Sequence, residues 1–135
     1  MNRDWGFEKW QQVVNELKDD FVFFQSSFGK DKILQNVINL HNVNFRKSCA
    51  LLSNADLFIG IEGGMHHAAA ALNKNAVVIF GGFIHPSITG YDFHKNLYIE
   101  DEKSPCGLKD ECNHCQKCME LITVYDVKEA IIRLL

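Results

Sequence analysis

Residues 56–81, DLFIGIEGGMHHAAAALNKNAVVIFG, constrain the fold more than any other stretch of this chain. DLFIGI (56–61) and AVVIFG (76–81) are short apolar runs with β-branched residues, the composition of strands buried on both faces. Between them MHHAAAALN (65–73) is built on alanine, the best helix former. A strand, a helix and a strand in so short a span make a crossover, and a crossover joins parallel strands.

The rest of the chain continues the alternation. FEKWQQVVNELKD (7–19) places Phe7, Trp10, Val13, Val14 and Leu17 on one helical face. FVFFQ (21–25) reads as a buried strand and SSFGKD (26–31) as a polar loop. ILQNVINL (33–40) reads as a short helical turn followed by a strand near 36–40, with His41 on a surface turn. Asn44 is placed to cap a helix over 45–54, whose apolar side takes Cys49 into the core. After the strand at 76–81 come a long loop (82–96) with Pro86 and Gly90, a short strand LYIE (97–100), a cysteine-rich segment (104–119), and a closing helix over 124–135 capped by Thr123. The expected architecture is α/β: one domain over residues 1–135, a Rossmann-like parallel sheet with helices on both faces. A length of 135 residues suits one such domain.

Charge and hydropathy narrow the function. A net charge of −3 argues against a general nucleic-acid binder, which is usually basic. No apolar run approaches the roughly 18 residues of a membrane-spanning helix. MNRDWGFEKW has no apolar signal-peptide core, so a cytoplasmic location is expected.

Ligands of open parallel sheets bind beyond the carboxyl ends of the strands. Two loops meet that description here, 61–67 and 81–90. In the first, Glu62, Gly63, Gly64, Met65 and His67 stand where a strand turns into a helix. Glycines let backbone approach a ligand closely, and the helix start offers N–H groups and partial positive charge to a phosphate. His67 can donate to a phosphate oxygen, and Glu62 can accept from a sugar hydroxyl. The bland alternative is a glycine turn with His66 and His67 as surface residues. The stretch is neither GxGxxG nor a P-loop. No Gly-x-Ser-x-Gly elbow is present either. In the second loop His85 either reaches the ligand or is solvated, as His94 would be; Tyr91 and Phe93 either pack the loop or stack on a base.

Cys106, Cys112, Cys115 and Cys118 crowd one segment, with His114 between them. In a cytoplasmic chain this reads as metal binding or plain thiols rather than disulfides. Four thiolates could wrap a structural Zn²⁺. The Cys-x-x-Cys-x-x-Cys run also echoes an iron–sulfur signature without its usual fourth cysteine. Cys112 and Cys115 are close enough in sequence to form a redox pair instead.

The run LLSNADLFIGIEGGMHHAAAALNKNAVVIFGGFIHP resembles the nucleotide-sugar site of glycosyltransferase family 9, the ADP-heptose:lipopolysaccharide heptosyltransferases. Glu62, Gly64 and His67 take the positions of the family's Asp-x-Gly-x-x-His, and Gly81-Gly82-Phe83-Ile84-His85-Pro86 takes that of its Gly-Pro-Thr-x-Pro loop. SPCGLKDECNHCQKCMELIT echoes the family's Ser-Pro-Cys…Cys…Cys-Met tail, with Cys106, Cys112 and Cys118 in a pattern not tied to a metal. The likeness runs from about Trp5 to the end. Two departures stand out: Glu62 replaces an aspartate, and His66 replaces a small residue.

The resemblance implies the C-terminal, donor-binding half of a GT-B enzyme. Gly63, Gly64 and Met65 would hold the pyrophosphate of an ADP-type sugar, with Gly81 and Gly82 beside it. His67 would offset charge on the departing diphosphate, Glu62 would face the sugar or ribose, and Lys30 would reach a phosphate. No cofactor is implied for transfer. The general base and the acceptor site would belong to an N-terminal domain or partner chain, so no residue of this chain is expected to be catalytic. The product would be lipopolysaccharide or a related surface glycan, the full-length form working at the inner membrane without spanning it. A small metal-stabilised α/β interaction module, defined by the cysteines, is the alternative.

Overall fold

The computed structural model describes residues 4–100, 104–106 and 112–135. In order these form α1 (Phe7–Leu17), β1 (Phe24–Ser27), β2 (Ile38–His41), α2 (Phe45–Ser53), β3 (Leu57–Ile61), α3 (Gly64–Ala71), β4 (Asn75–Gly81), α4 (Pro86–Thr89), β5 (Lys95–Tyr98), α5 (Asn113–Leu121) and α6 (Val124–Leu134).

All strand pairs are parallel, as the crossover logic requires. They form two hydrogen-bonded sheets, β1–β2 and β3–β4–β5. Strand β4 is the centre of the fold, buried from Ala76 to Gly81. Side chains alternate along a strand, so β4 feeds two cores. Val77 and Ile79 pack with Val13, Leu17, Met119, Ile122, Val127 and Ile131. Ala76, Val78 and Phe80 pack on the other face with Leu52 and Ala69. Helices cover both faces.

Several expectations shift. The strand read at 21–25 lies at Phe24–Ser27, taking two serines from the expected loop. Ser27 is accommodated because its hydroxyl bonds His41 Nδ1 (2.9 Å) and the Asn39 amide (3.1 Å). The turn before β2 is no helix, and Asn36 takes a left-handed conformation there. Asn44 does cap α2, accepting from the Lys47 amide at 2.9 Å. The buried face of that helix, however, is Ser48 and Leu52, leaving Cys49 half-buried. β5 begins two residues earlier than read. The long loop holds α4, started by Pro86 at a position where a missing N–H costs nothing. The cysteine segment holds α5.

Helix α5 is tied down at its carboxyl end. Lys9 Nζ donates to the carbonyls of Met119 (3.0 Å), Ile122 (3.2 Å) and Glu120 (3.3 Å). A cation there satisfies carbonyls that have no partner within the helix. Trp5 Nε1 donates to the Ile122 carbonyl at 2.8 Å. Thr123 caps α6 reciprocally with Asp126, at 3.1 and 2.9 Å.

Candidate functional site

Parallel pairing brings the carboxyl ends of β3, β4 and β5 to one edge. The chain after β3 turns within two residues. Glu62 stays in the sheet through its N–H, which donates to the Ile79 carbonyl at 3.0 Å, and its residue is buried. Gly63 precedes α3, and Gly64 and Met65 open it. The first amides of a helix have no acceptor within it, so those of Gly64 and Met65 start the helix as donors aimed outward. His67 is exposed in the same turn.

Gly63, Gly64, Met65 and Glu62 line one end of a cleft of about 1030 Å³ between β1 and β3, whose polar lining also includes Gln25 and Ser26. Lys30 lies exposed in the chain after β1, outside the residues lining this cleft.

His66 departs most from expectation. It is fully buried, not a surface residue. Its Nδ1 accepts the Gly63 amide at 2.9 Å, and its Nε2 lies 2.7 Å from the Thr89 carbonyl. The amide can only donate and the carbonyl can only accept, so the ring is neutral with its proton on Nε2. The Gly63 amide is therefore spent on His66, which leaves the amides of Gly64 and Met65 at the helix start. Ligand atoms of Glu62, His66 and His67 lie within 4.8 Å of one another. With both its nitrogens committed, His66 has no lone pair for a cation, so this trio is not a metal centre.

His67 Nδ1 lies 2.7 Å from the Tyr91 hydroxyl. The loop after β4 thus folds back along α3, and Tyr91 packs edge-on against His67, His66 and His94. His94 is buried rather than solvated, with Nε2 3.1 Å from the Lys74 carbonyl. His85 caps α4 instead, accepting the Ser87 amide at 3.1 Å.

Burial holds the pKa of His94 below its ordinary 6.5, against the pull of the Lys74 carbonyl. Unfolding lets this ring take a proton that the folded chain refuses, so stability is lost as pH falls below about 6.5. Thermal melts from pH 8 to pH 5 should show this decline, and His94→Gln should make it shallower. Parallel curves for the two proteins would refute it.

Gly81 and Gly82 serve packing rather than lying open at the edge. Gly81 has a left-handed φ of 65°, and a Cβ on it would meet Met119 Sδ at 3.0 Å. A Cβ on Gly82 would meet Cys118 Sγ at 2.6 Å and Ser104 Oγ at 2.8 Å. Their carbonyls accept from Ile99 (2.7 Å) and Cys106 (2.9 Å). These glycines seat α5 and the 104–106 segment on the end of β4.

The cysteine cluster stands there. Sulfurs of Cys106, Cys112 and Cys115 and a ring nitrogen of His114 all lie within 4.8 Å of one another. The sulfurs of Cys106 and Cys112 are 3.4 Å apart. Tetrahedral thiolates about a zinc-sized ion sit about 3.8 Å apart, so the donor set fits a metal. His114 takes the place expected of Cys118. The physical reason is helical: Cys118 is one turn further along α5, where its sulfur lies against Gly82 and 3.4 Å from His114 Nε2. The Cys115 amide, followed by the Cys106 thiol, draws the Cys112 thiol from 9.0 down to about 7. Burial, then the neighbouring thiols, pushes Cys115 far up.

The family model described as glycosyltransferase family 9 (heptosyltransferase) matches residues 2–121. No curated protein matches the sequence. Among solved structures, the chain is similar to the bacterial iron-containing dodecameric glycosyltransferase TibC from enterotoxigenic E. coli H10407, with a TM-score of 0.78 at 18% identity. It covers 99% of this chain and 43% of TibC. E. coli heptosyltransferase WaaC with ADP gives a TM-score of 0.74 at 15% identity, covering 99% of this chain and 41% of WaaC. TibC in complex with ADP-D-β-D-heptose gives 0.72 at 19% identity, covering 98% of this chain and 40% of that one. The chain therefore spans about two fifths of the length of these proteins.

Proposed function

The chain belongs to glycosyltransferase family 9, and we propose that it forms the nucleotide-sugar-binding half of such an enzyme, with an ADP-heptose-type donor. The observation that carries the reading is the turn from β3 to α3. Gly64 and Met65 present amides at a helix start, Glu62 stands at the strand end, and His67 is exposed beside them. The neighbours solved with ADP and with ADP-heptose support the choice of ligand.

In this reading the two amides and the helix end hold the diphosphate. His67 donates to the oxygen that gains charge as the sugar departs, which is where electrostatic stabilisation contributes most to transfer. Glu62 accepts from a sugar or ribose hydroxyl. Gly81 and Gly82 act indirectly, by letting α5 support the loop, and Lys30 reaches the phosphate only if the chain after β1 swings over the cleft. The acceptor and the general base are supplied by a separate N-terminal domain or partner chain, in the cytoplasm, and the product is lipopolysaccharide or a related surface glycan. None of the described residues forms a helix long and apolar enough to cross a membrane.

Calorimetric titration with ADP, UDP and GDP tests the donor site. ADP should bind best, and His67→Ala should weaken it about tenfold, the order of one charge-assisted hydrogen bond. Equal binding of ADP by both proteins would sink the assignment of His67.

We propose further that Cys106, Cys112, Cys115 and His114 hold a structural metal. The observation favouring it is the donor set itself; zinc and iron both accept three thiolates and an imidazole. The metal would staple the 104–106 segment to the start of α5, behind the donor loop. It takes no part in transfer.

A further inference from the structure

We infer that Tyr91 is a positioning residue for His67, holding its imidazole with the proton on Nε2 so that Nε2–H is the donor offered to the diphosphate. The inference deepens the donor-site reading and rests on it.

The Tyr91 hydroxyl is 2.7 Å from His67 Nδ1. That separation is a short hydrogen bond between two groups either of which can donate. If the phenol donates, Nδ1 is an acceptor and the imidazole proton resides on Nε2; the partner of one ring nitrogen sets the state of the other. The opposite arrangement would put the proton on Nδ1 and leave Nε2 a bare lone pair, which a phosphate oxygen repels.

The phenol is well placed to do this because its own position is fixed from several sides. Its ring centroid is 5.7 Å from His67, 5.8 Å from His66 and 5.3 Å from His94, each contact edge-on. The Tyr91 carbonyl accepts the Asn96 side-chain amide at 3.1 Å. Two residues earlier, the Thr89 carbonyl is bonded to buried His66, whose other nitrogen holds the Gly63 amide. His66 thereby ties the loop to the very turn that would bind the phosphates. His67 is exposed, and its ring also lies tilted against that of His66 at 4.0 Å. That contact restrains the ring plane, whereas the Tyr91 hydroxyl meets a ring nitrogen and so bears on where the proton sits. The neighbouring histidines play opposite parts: His66 has both nitrogens spent on backbone and serves as an anchor, while His67 keeps one nitrogen for a ligand.

Tyr91→Phe removes only the hydroxyl and keeps the ring that packs the loop. Two readouts test the role. Nitrogen-15 NMR of the histidine rings should show His67 of the wild type protonated on Nε2 and unprotonated on Nδ1 above neutral pH. Calorimetry should show Tyr91→Phe weakening ADP about three- to tenfold in the wild-type background and not at all in the His67→Ala background. A loss of equal size in both backgrounds would mean that Tyr91 acts only through the loop, and a wild-type His67 protonated on Nδ1 would overturn the inference outright. If ADP fails to bind the wild type, the donor reading falls, and the NMR result alone decides the tautomer.

Discussion

Cys115→Ala should leave the purified chain without bound metal and lower its melting temperature by about 10 °C or more. The size follows from two estimates. A structural metal in a small domain contributes several kcal/mol to folding, and about 10 kcal/mol or more in isolated zinc-finger peptides. Each kcal/mol shifts the melting point of a domain this size by roughly 3–5 °C. Cys115 is the informative choice because it is fully buried. Without a metal its thiol stays protonated, pushed up by burial and by two neighbouring sulfurs; with one, it must ionise. Elemental analysis of the wild type should give one metal per chain, and a strong chelator should reproduce the melting shift of the variant. Cys49→Ala is the control: that cysteine is half-buried in α2, outside the cluster, and its loss should leave the metal in place. A wild type that carries no metal and melts unchanged in chelator would show that the four side chains merely pack.

The two halves of the candidate site were unequally legible in the sequence. The β3–α3–β4 unit could be read because its signals are local: an apolar β-branched run, two glycines, an alanine helix, another run. Phase alone then assigns Val77 and Ile79 to one core and Val78 and Phe80 to the other. The edges of the fold were harder. β1 takes in Ser26 and Ser27, which no propensity would choose, because His41 and Asn39 on the paired strand satisfy the buried hydroxyl. His66 looked like half of a polar pair. Its burial depends on Thr89, a residue 23 positions away that offers a carbonyl, and nothing in the sequence near residue 66 announces that bond. Gly81 and Gly82 enter the donor site through the resemblance of the Gly81–Pro86 loop to the family's Gly-Pro-Thr-x-Pro loop. Their need for space comes from Met119 and Cys118 on a helix far along the chain. The cysteine spacing announced a cluster but not its membership, since the choice of His114 over Cys118 depends on where α5 begins.

Phe80→Ala should cost about 3–5 kcal/mol, a large part of the roughly 5–15 kcal/mol that holds a domain of this kind together. Among the described residues Phe80 is the largest fully buried side chain, and it sits on β4, the strand that pairs with both β3 and β5. Leu52, Ala69, Ala76 and Val78 share its buried cluster, with Phe58, Met65, Ile84 and Tyr98 half-buried against it. The cost within that range depends on how far these larger side chains can close the void. The effect should not stop at stability. Phe80 meets the His66 ring edge-on at 5.8 Å, and it is that ring which joins the Gly63 turn to Thr89. An emptied space beneath His66 frees the ring to leave its two backbone partners, so ADP affinity should fall along with the urea midpoint even though Phe80 lies in the core. Phe80→Leu, which refills most of the volume, should recover both. If Phe80→Ala lowered the unfolding free energy by several kcal/mol while ADP affinity held, the anchoring of the donor turn would have to come from the helix and sheet backbone alone, and His66 would be a passenger in the core.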